Sequence, residues 1–179
     1  LGRDAETGRF VKEILTRWRK PIIVEADALY AVKEMEIDLA RCPGQLILTP
    51  HVGEFAHLTG RTAAEAERER IDGAIAFAME RGVTLVLKGM PTVIAAKDGF
   101  AYVNVTGNPG MATGGMGDTL TGIIVALAGQ EMDPEPAAIC GVYLHGLAGD
   151  LLARETPVGY TASDVARMVP RAREMVTGD

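Results

Sequence analysis

The sequence is short of several features that would narrow its role at once. Cysteine occurs only twice in 179 residues, as Cys42 and Cys140. Neither shows metal-ligand spacing, two thiols make no disulfide framework, and both fall in apolar stretches, so a reducing, cytoplasmic compartment is expected. Basic clusters are missing: 18 Lys and Arg stand against 24 Asp and Glu, a net charge of -6, which speaks against nucleic acid as a partner. The absence of Gly-x-x-x-x-Gly-Lys-Ser/Thr excludes a P-loop. No Gly-x-Gly-x-x-Gly follows a first strand, which leaves a Rossmann dinucleotide site unsupported. The apolar run Thr119–Gln130 is too short to span a bilayer, and no signal peptide is recognisable. Internal repeats and low-complexity segments are lacking too. What remains is an ordinary globular composition, 47% apolar and 23% charged, in a chain long enough for one domain (1–179) with a real core.

Against that background one stretch stands out. From Asn108 the chain reads Asn-Pro-Gly-Met-Ala-Thr-Gly-Gly-Met-Gly-Asp, then turns apolar from Leu120 to Ala128. Gly110, Gly114, Gly115 and Gly117 crowd too closely behind Pro109 for regular structure, whereas the apolar run suits a buried helix. A glycine loop feeding a helix leaves backbone N–H groups aimed at one point, at the positive end of the helix dipole. Such a place binds anions, usually phosphate. Asp118 falls in the same first turn. It can be a simple helix cap. An acid beside a phosphate site repels the ligand, however, so its presence points instead to proton removal from a hydroxyl next to the phosphate.

The rest of the chain alternates helix and strand. Residues 5–19 place Phe10, Val11, Ile14, Leu15 and Trp18 at helical spacing, with charges opposite. Ile22–Val24 reads as a buried strand ending in Glu25-Ala26-Asp27, with a short helix from Leu29. Leu46–Leu48 repeats the pattern, ending in Pro50-His51-Val52-Gly53-Glu54 and a helix closed by Gly60. One helix is expected over 62–81, with Thr62 and Glu65 forming a capping box and Gly82 its C-cap. Its charged face (Glu65, Glu67, Arg68, Glu69, Arg70) reads as solvent-exposed. Val83–Leu87 is a strand running into Lys88, and Lys97-Asp98-Gly99 joins 92–95 to 100–103 as a hairpin. Asp133-Pro134 opens a helix to about Arg154, whose Gly141, Gly146 and Gly149 imply close packing. A last helix starts at Thr161 and is interrupted at Pro170. The order predicts a three-layer αβα sandwich on a parallel sheet.

Three strand ends thus carry polar groups: Glu25 and Asp27, His51 and Glu54, and Lys88. In an open α/β sheet those ends line the edge where ligands bind. Individually each has a plainer role: Asp27 as a helix cap, His51 as a hydrogen-bonded structural residue, Glu54 as a partner of the helix dipole. His57 and His145 read as structural. Together, a cation, an acid able to act through metal-bound water and an anion loop make up the parts needed for phosphoryl transfer.

Thr49-Pro50-His51-Val52-Gly53-Glu54, Leu87-Lys88-Gly89 with Thr92-Val93-Ile94, and Asn108 through Asp118 closely resemble the ADP/ATP-dependent NAD(P)H-hydrate dehydratases of the ribokinase-like superfamily. That family forms the C-terminal domain of many bifunctional nicotinamide-nucleotide repair enzymes, where it accompanies an epimerase domain. The likeness runs from Gly2 to about Arg173, in the family's order. Leu1-Gly2-Arg3 resembles the tail of the family's Gly-Pro-Gly-Leu-Gly motif, which implies that the family's N-terminal portion is not included. Glu25 stands where the family more often has Asp, and Val52 replaces a common Pro.

The resemblance implies a cytoplasmic repair reaction. Hydrated NADH or NADPH is phosphorylated on its ring hydroxyl by ADP or ATP, and loss of the phosphate restores the cofactor. It casts Asp118 as the base and as a substrate contact, and Gly115, Met116 and Gly117 as the cradle for the transferring phosphoryl group. Lys88, Gly89, Met90, Pro91 and Thr92, with Gly117, would contact the nucleotide; His51 would touch the hydrated dinucleotide; Glu54 would organise Mg²⁺ through water. A homo-oligomer is implied as well. The alternatives are a vitamin-precursor or sugar kinase of the same superfamily, against which His51 and the Asn108–Thr113 stretch argue, and a non-catalytic nucleotide-binding module.

Overall fold

Three short β-branched or leucine-rich segments pair side by side. In the computed structural model, which describes residues 1–178, β1 (Ile22–Val24), β2 (Leu46–Leu48) and β3 (Thr84–Leu87) are parallel, with Ile23 opposite Ile47 and Leu48 opposite Leu85. The hairpin strands β4 (Thr92–Ala95) and β5 (Ala101–Asn104) complete the order β1-β2-β3-β4-β5. β4 runs antiparallel to β3, Val86 facing Ile94. The sheet is therefore mixed rather than parallel throughout. Only the segment from Lys88 to Pro91 joins β3 to β4, far too short for the crossover that a parallel pair requires.

Residues Leu1–Val103 form one compact unit. It contains α1 (Ala5–Arg17), α2 (Asp27–Glu34), α3 (Val52–Thr59), α4 (Ala63–Arg68) and α5 (Arg70–Arg81). Val24, Leu48, Leu85, Leu87 and Val93 share a core with Val11, Leu15, Phe55 and Phe77 of these helices. On the sheet's other face Ile47, Val86 and Ile94 are buried as well, so the strands are apolar on both sides, as continuous rather than alternating hydrophobic runs require.

Helix ends follow the local chemistry. Thr62 and Glu65 form their capping box, and Gly60 and Gly82 close α3 and α5 in the left-handed conformation. The expected single helix over 62–81, however, breaks at Glu69 (φ -104, ψ 29) into α4 and α5. Arg70, just beyond the break, is buried rather than part of the solvent face. On α1, Val11 and Leu15 are buried while Phe10, Ile14 and Trp18 are exposed; the apolar residues form two neighbouring stripes, and only one faces the core.

A second compact unit begins at Asn104 and holds α6 (Met116–Ala128), α7 (Pro134–Glu155) and α8 (Ala162–Thr177). Here α7 packs against both α6 and α8. It contains the uncharged run 136–149, which is longer than Thr119–Gln130, and by length and composition α7 alone among the described helices could cross a membrane; half of that stretch is buried inside the fold. Pro170 does not interrupt α8. Cys42 is half-buried but Cys140 is exposed, contrary to its apolar neighbourhood in sequence.

The glycines of α7 sit where backbone or side chains come too close for a Cβ. At Gly146 one would lie 2.7 Å from the backbone carbon of Thr106, and at Gly141 2.6 Å from Ile124 Cγ1. Gly146→Ala is expected to lower unfolding free energy by about 1–3 kcal/mol, because backbone cannot retreat. Gly8→Ala in α1 meets only the movable end of Met35, and a helix-propensity gain of about 1 kcal/mol offsets the crowding. Urea denaturation of both variants checks the contrast.

Three caps also make stability depend on pH. Asp4, Glu65 and Asp164 accept N–H groups from Thr7, Thr62 and Thr161 respectively, and those backbone bonds hold each carboxyl below its ordinary value of 3.8, 4.5 and 3.8. A depressed folded value stabilises the protein above the ordinary carboxylate range, and that share is lost as pH falls through the folded value. The urea midpoint should accordingly drop below about pH 4, and Asp164→Asn should make that acid limb shallower.

Candidate active site

The first unit brings its three polar strand ends into one row. His51 forms a parallel bridge with Lys88, whose N–H donates to Pro50 O at 2.8 Å. Lys88 Nζ lies 3.1 Å from Glu25 Oε1, and both side chains are largely buried. Lysine at the end of a buried strand is thereby satisfied by an acid two strands away, a pairing with no local signal in the sequence. Between Glu25 and Asp27 the chain turns through Ala26 at φ +52, a strained conformation for a residue with a Cβ.

Asp27 does not cap α2. It is the first residue of that helix, and its carboxylate accepts the Gly2 N–H at 3.0 Å and the Arg3 guanidinium at 2.8 Å. The Arg3 hydrogen bond is the main cause that holds the Asp27 carboxyl below its ordinary range. Arg3 in turn lies over the Tyr30 ring, which stacks on His57 at 4.3 Å. His57 Nε2 also lies 3.4 Å from Glu34 Oε1.

His51 and Glu54 are bound to each other through the start of α3. His51 Nδ1 accepts the N–H groups of Gly53 (3.0 Å) and Glu54 (3.2 Å), and Glu54 Oε2 accepts the His51 N–H at 2.8 Å. This is a capping box with histidine in the place of serine or threonine. A ring nitrogen that accepts two N–H groups carries no proton, so the imidazole proton is on Nε2. The His51 side chain is 60% exposed, with Nε2 3.6 Å from Glu54 Oε2, whereas Glu54 is buried. Among the described residues no group of three His, Cys, Asp or Glu side chains is placed to hold a metal.

The segment Lys88–Thr92 is held from inside. Thr92 Oγ1 donates to Gly89 O (3.0 Å) and accepts the Gly89 N–H (3.3 Å). Gly89 is at φ +151, and Met90-Pro91 is a cis peptide. Arg70 Nη1 lies 3.4, 3.3 and 3.2 Å from the carbonyl oxygens of Leu87, Lys88 and Pro91.

In the second unit the glycine loop does what its composition demands. Gly115 at φ +84 is the N-cap of α6, and no side chain caps the helix. Its first-turn N–H groups have no partner within the helix, and Gly114, Gly115 and Asp118 are exposed to solvent. Asp118 stands at the third helical position but makes no cap, and no hydrogen bond or ion pair holds its carboxylate among the described residues. Upstream, Asn108 Oδ1 accepts the Gly110 N–H at 3.0 Å and the Tyr160 hydroxyl. Asp150 of α7 accepts both the Gly107 N–H and Asn108 Nδ2 at 2.9 Å. Burial pushes the Tyr160 phenol above its ordinary value, which keeps it a donor. Sequence reasoning missed Asp150, Tyr160 and Arg70; Asp150, an acid directly behind the uncharged run 136–149 of α7, was the available hint.

An uncapped helix opening from a left-handed glycine, with an acid in its first turn, marks the class of site that can bind a phosphoryl group on backbone amides with a carboxylate beside it to move a proton. Comparison with known proteins narrows that class. The chain belongs to the NAD(P)H-hydrate dehydratase family, whose pattern matches residues 1–171. It is 52% identical over 155 residues to the bifunctional NAD(P)H-hydrate repair enzyme of Moorella thermoacetica, covering 87% of this chain and 29% of that enzyme. The ADP/ATP-dependent NAD(P)H-hydrate dehydratase of Bacillus subtilis, co-crystallised with ATP and Mg²⁺ and soaked with CoA, superposes with a TM-score of 0.89 at 35% identity, over 98% of this chain and 63% of that one. A ribokinase-like superfamily protein from Enterococcus faecalis gives 0.82 at 30% identity, over 97% and 60%. The chain thus spans less than two thirds of each, and its α/β fold is ribokinase-like.

Asp150 is the anchor whose loss tests the loop. Asp150→Asn removes the charge and turns an amide toward at least one of the two N–H donors. We expect a loss of about 1–3 kcal/mol in stability and faster amide exchange at Gly107 and Gly110, read by hydrogen–deuterium exchange.

Proposed function

We propose that the chain carries out ADP- or ATP-dependent dehydration of hydrated NADH and NADPH, restoring the reduced nicotinamide. The observation that carries this reading is Asp118: an exposed carboxylate, without cap or ion pair among the described residues, on the first turn of a helix whose amides have no side-chain cap. Family membership supplies the substrate class. Asp118 takes the proton of the ring hydroxyl as its oxygen attacks the terminal phosphorus of the nucleotide. The phosphoanhydride bond breaks, and AMP (from ADP) or ADP (from ATP) departs. Amide groups of Gly115, Met116 and Gly117 hold the equatorial oxygens, which needs no formal positive charge. Phosphorylation turns a poor leaving group into a good one; loss of phosphate with a proton from the neighbouring carbon reforms the ring double bond.

Lys88–Thr92 would receive the nucleotide, and the exposed ring of His51 would touch the dinucleotide. Mg²⁺ suits this donor set only if the nucleotide phosphates and water supply most of its ligands, as is common for that ion; Glu54 is the carboxylate that the resemblance offers, with Oε2 already engaged by the His51 N–H. When bound, the ion neutralises phosphate charge.

Incubating the chain with hydrated NADH and ADP, and following the reduced-nicotinamide absorbance, tests the reading. Asp118→Asn should lower turnover by about 10²-fold or more while ADP affinity stays within about twofold. Unchanged turnover in that variant removes Asp118 as the base, and build-up of a phosphorylated product without recovered absorbance points to a kinase instead.

A further inference from the structure

The most heavily engaged side chain of the first unit is one that the proposed chemistry does not use. Arg70 is 8% exposed. Its Nε and Nη2 meet the two carboxylate oxygens of Glu67, and its Nη1 meets three carbonyl oxygens of the segment that turns from β3 into β4. Nη1 has two hydrogens for those three acceptors, so the carbonyls of Leu87, Lys88 and Pro91 converge on one point. Gly89 lies against the same group: a Cβ there would come 2.5 Å from Nη2 and 2.6 Å from Nη1. The break at Glu69 makes this possible, since it starts a new helix at Arg70 and allows a residue from a charged surface sequence to be buried.

We infer that Arg70 is a positioning residue for the nucleotide: by gathering the carbonyls of 87, 88 and 91, it fixes the segment Lys88–Thr92 in the shape that receives the phosphorylated ligand. This rests on the reading of that segment as the nucleotide contact. Arg70 is not itself a ligand contact. It is buried, and Nε, Nη1 and Nη2 each meet oxygens of the protein itself. What it contributes is shape. Lys88 N–H is taken by Pro50 O and Gly89 N–H by Thr92 Oγ1, and the Arg70 guanidinium holds the carbonyl side of the same peptides, so the four residues between the strands are fixed from both sides. An arginine suits the task better than lysine because its rigid fork engages Glu67 and the carbonyls together, which a single ammonium cannot.

The test uses the whole chain and ADP as the probe. Arg70→Met, Arg70→Lys, Gly89→Ala and the Met/Ala double variant are compared by calorimetric titration with ADP, alongside KM for ADP and for hydrated NADH. Arg70→Met should weaken ADP binding about tenfold or more and raise KM for ADP in parallel, while KM for hydrated NADH stays within about twofold. Arg70→Lys should recover only part of the loss. The double variant should bind ADP about as well as the weaker single one, since both changes disturb the same contact. Should Arg70→Met fail to fold, Glu67→Gln, at a more exposed position, removes one anchor of the guanidinium and should weaken ADP binding by about threefold. Wild-type ADP affinity in a folded Arg70→Met, or in both Arg70→Lys and Glu67→Gln, overturns the inference alone. An equal rise in both KM values also overturns it, in favour of a merely structural arginine. Failure of the unaltered chain to bind ADP overturns the nucleotide reading and this inference with it.

Discussion

Unpaired backbone amides are the constraint to which the rest of this structure answers. A helix that begins at a left-handed glycine without a side-chain cap keeps its first-turn N–H groups open, a state that costs stability unless an anion fills the place. Asp4, His51, Thr62 and Thr161 each close a helix start, whereas α2, α5 and α7 begin, like α6, without a side-chain cap. What sets α6 apart is that it opens from a left-handed glycine, in the densest glycine of the sequence. Glycine serves there in two ways, by taking φ +84 at Gly115 and by leaving open space around Gly114, where a Cβ would meet nothing within 4 Å.

A loop that presents amides is only as well formed as what holds it, and in each unit a charged side chain outside the motifs grips such a loop. Asp150 takes the Gly107 N–H and the Asn108 amide, and Asn108 passes the restraint on to Gly110 and Tyr160. Arg70 plays the corresponding part for Lys88–Pro91, with carbonyls in place of N–H groups. Charge is used for holding backbone in both cases, so a chain of net charge -6 can still present donors to an anion. Local dipoles, not the overall field, set the sign at the loop.

The sequence discloses the parts that depend on neighbours in the chain. Strands β1 to β3, the 92–104 hairpin, the capping boxes and the terminal glycines follow from periodicity and turn chemistry over a few residues. Gly141, Gly146 and Gly149 signal close approach correctly, because nothing else explains glycine in a long helix. What periodicity cannot show is which of two apolar stripes faces inward, as α1 demonstrates with Phe10, Ile14 and Trp18 exposed. Nor does it show partners distant in sequence. Glu25 and Lys88 are 63 residues apart, and the acid at position 27 reads as a cap until Arg3 is seen to hold it. Pro170 shows that a proline rule tuned to isolated helices yields when tertiary packing fixes the chain on both sides.

Arg70 marks the deepest limit of that reading. Five charged residues in six positions form a solvent-face pattern, and four of them obey it. The fifth is buried by a helix break that no glycine or proline announces, at Glu69 with ordinary negative φ. A single buried guanidinium is unfavourable unless its donors find acceptors, so the break, the three gathered carbonyls and the Cβ-free Gly89 stand or fall as one arrangement. Its cause lies in the geometry of the loop rather than in the helix where the arginine is encoded. Surface-like sequence next to a short irregular loop is therefore where a local pattern is most easily overruled: beyond Lys88 the loop draws its restraint from whichever long side chain can reach it.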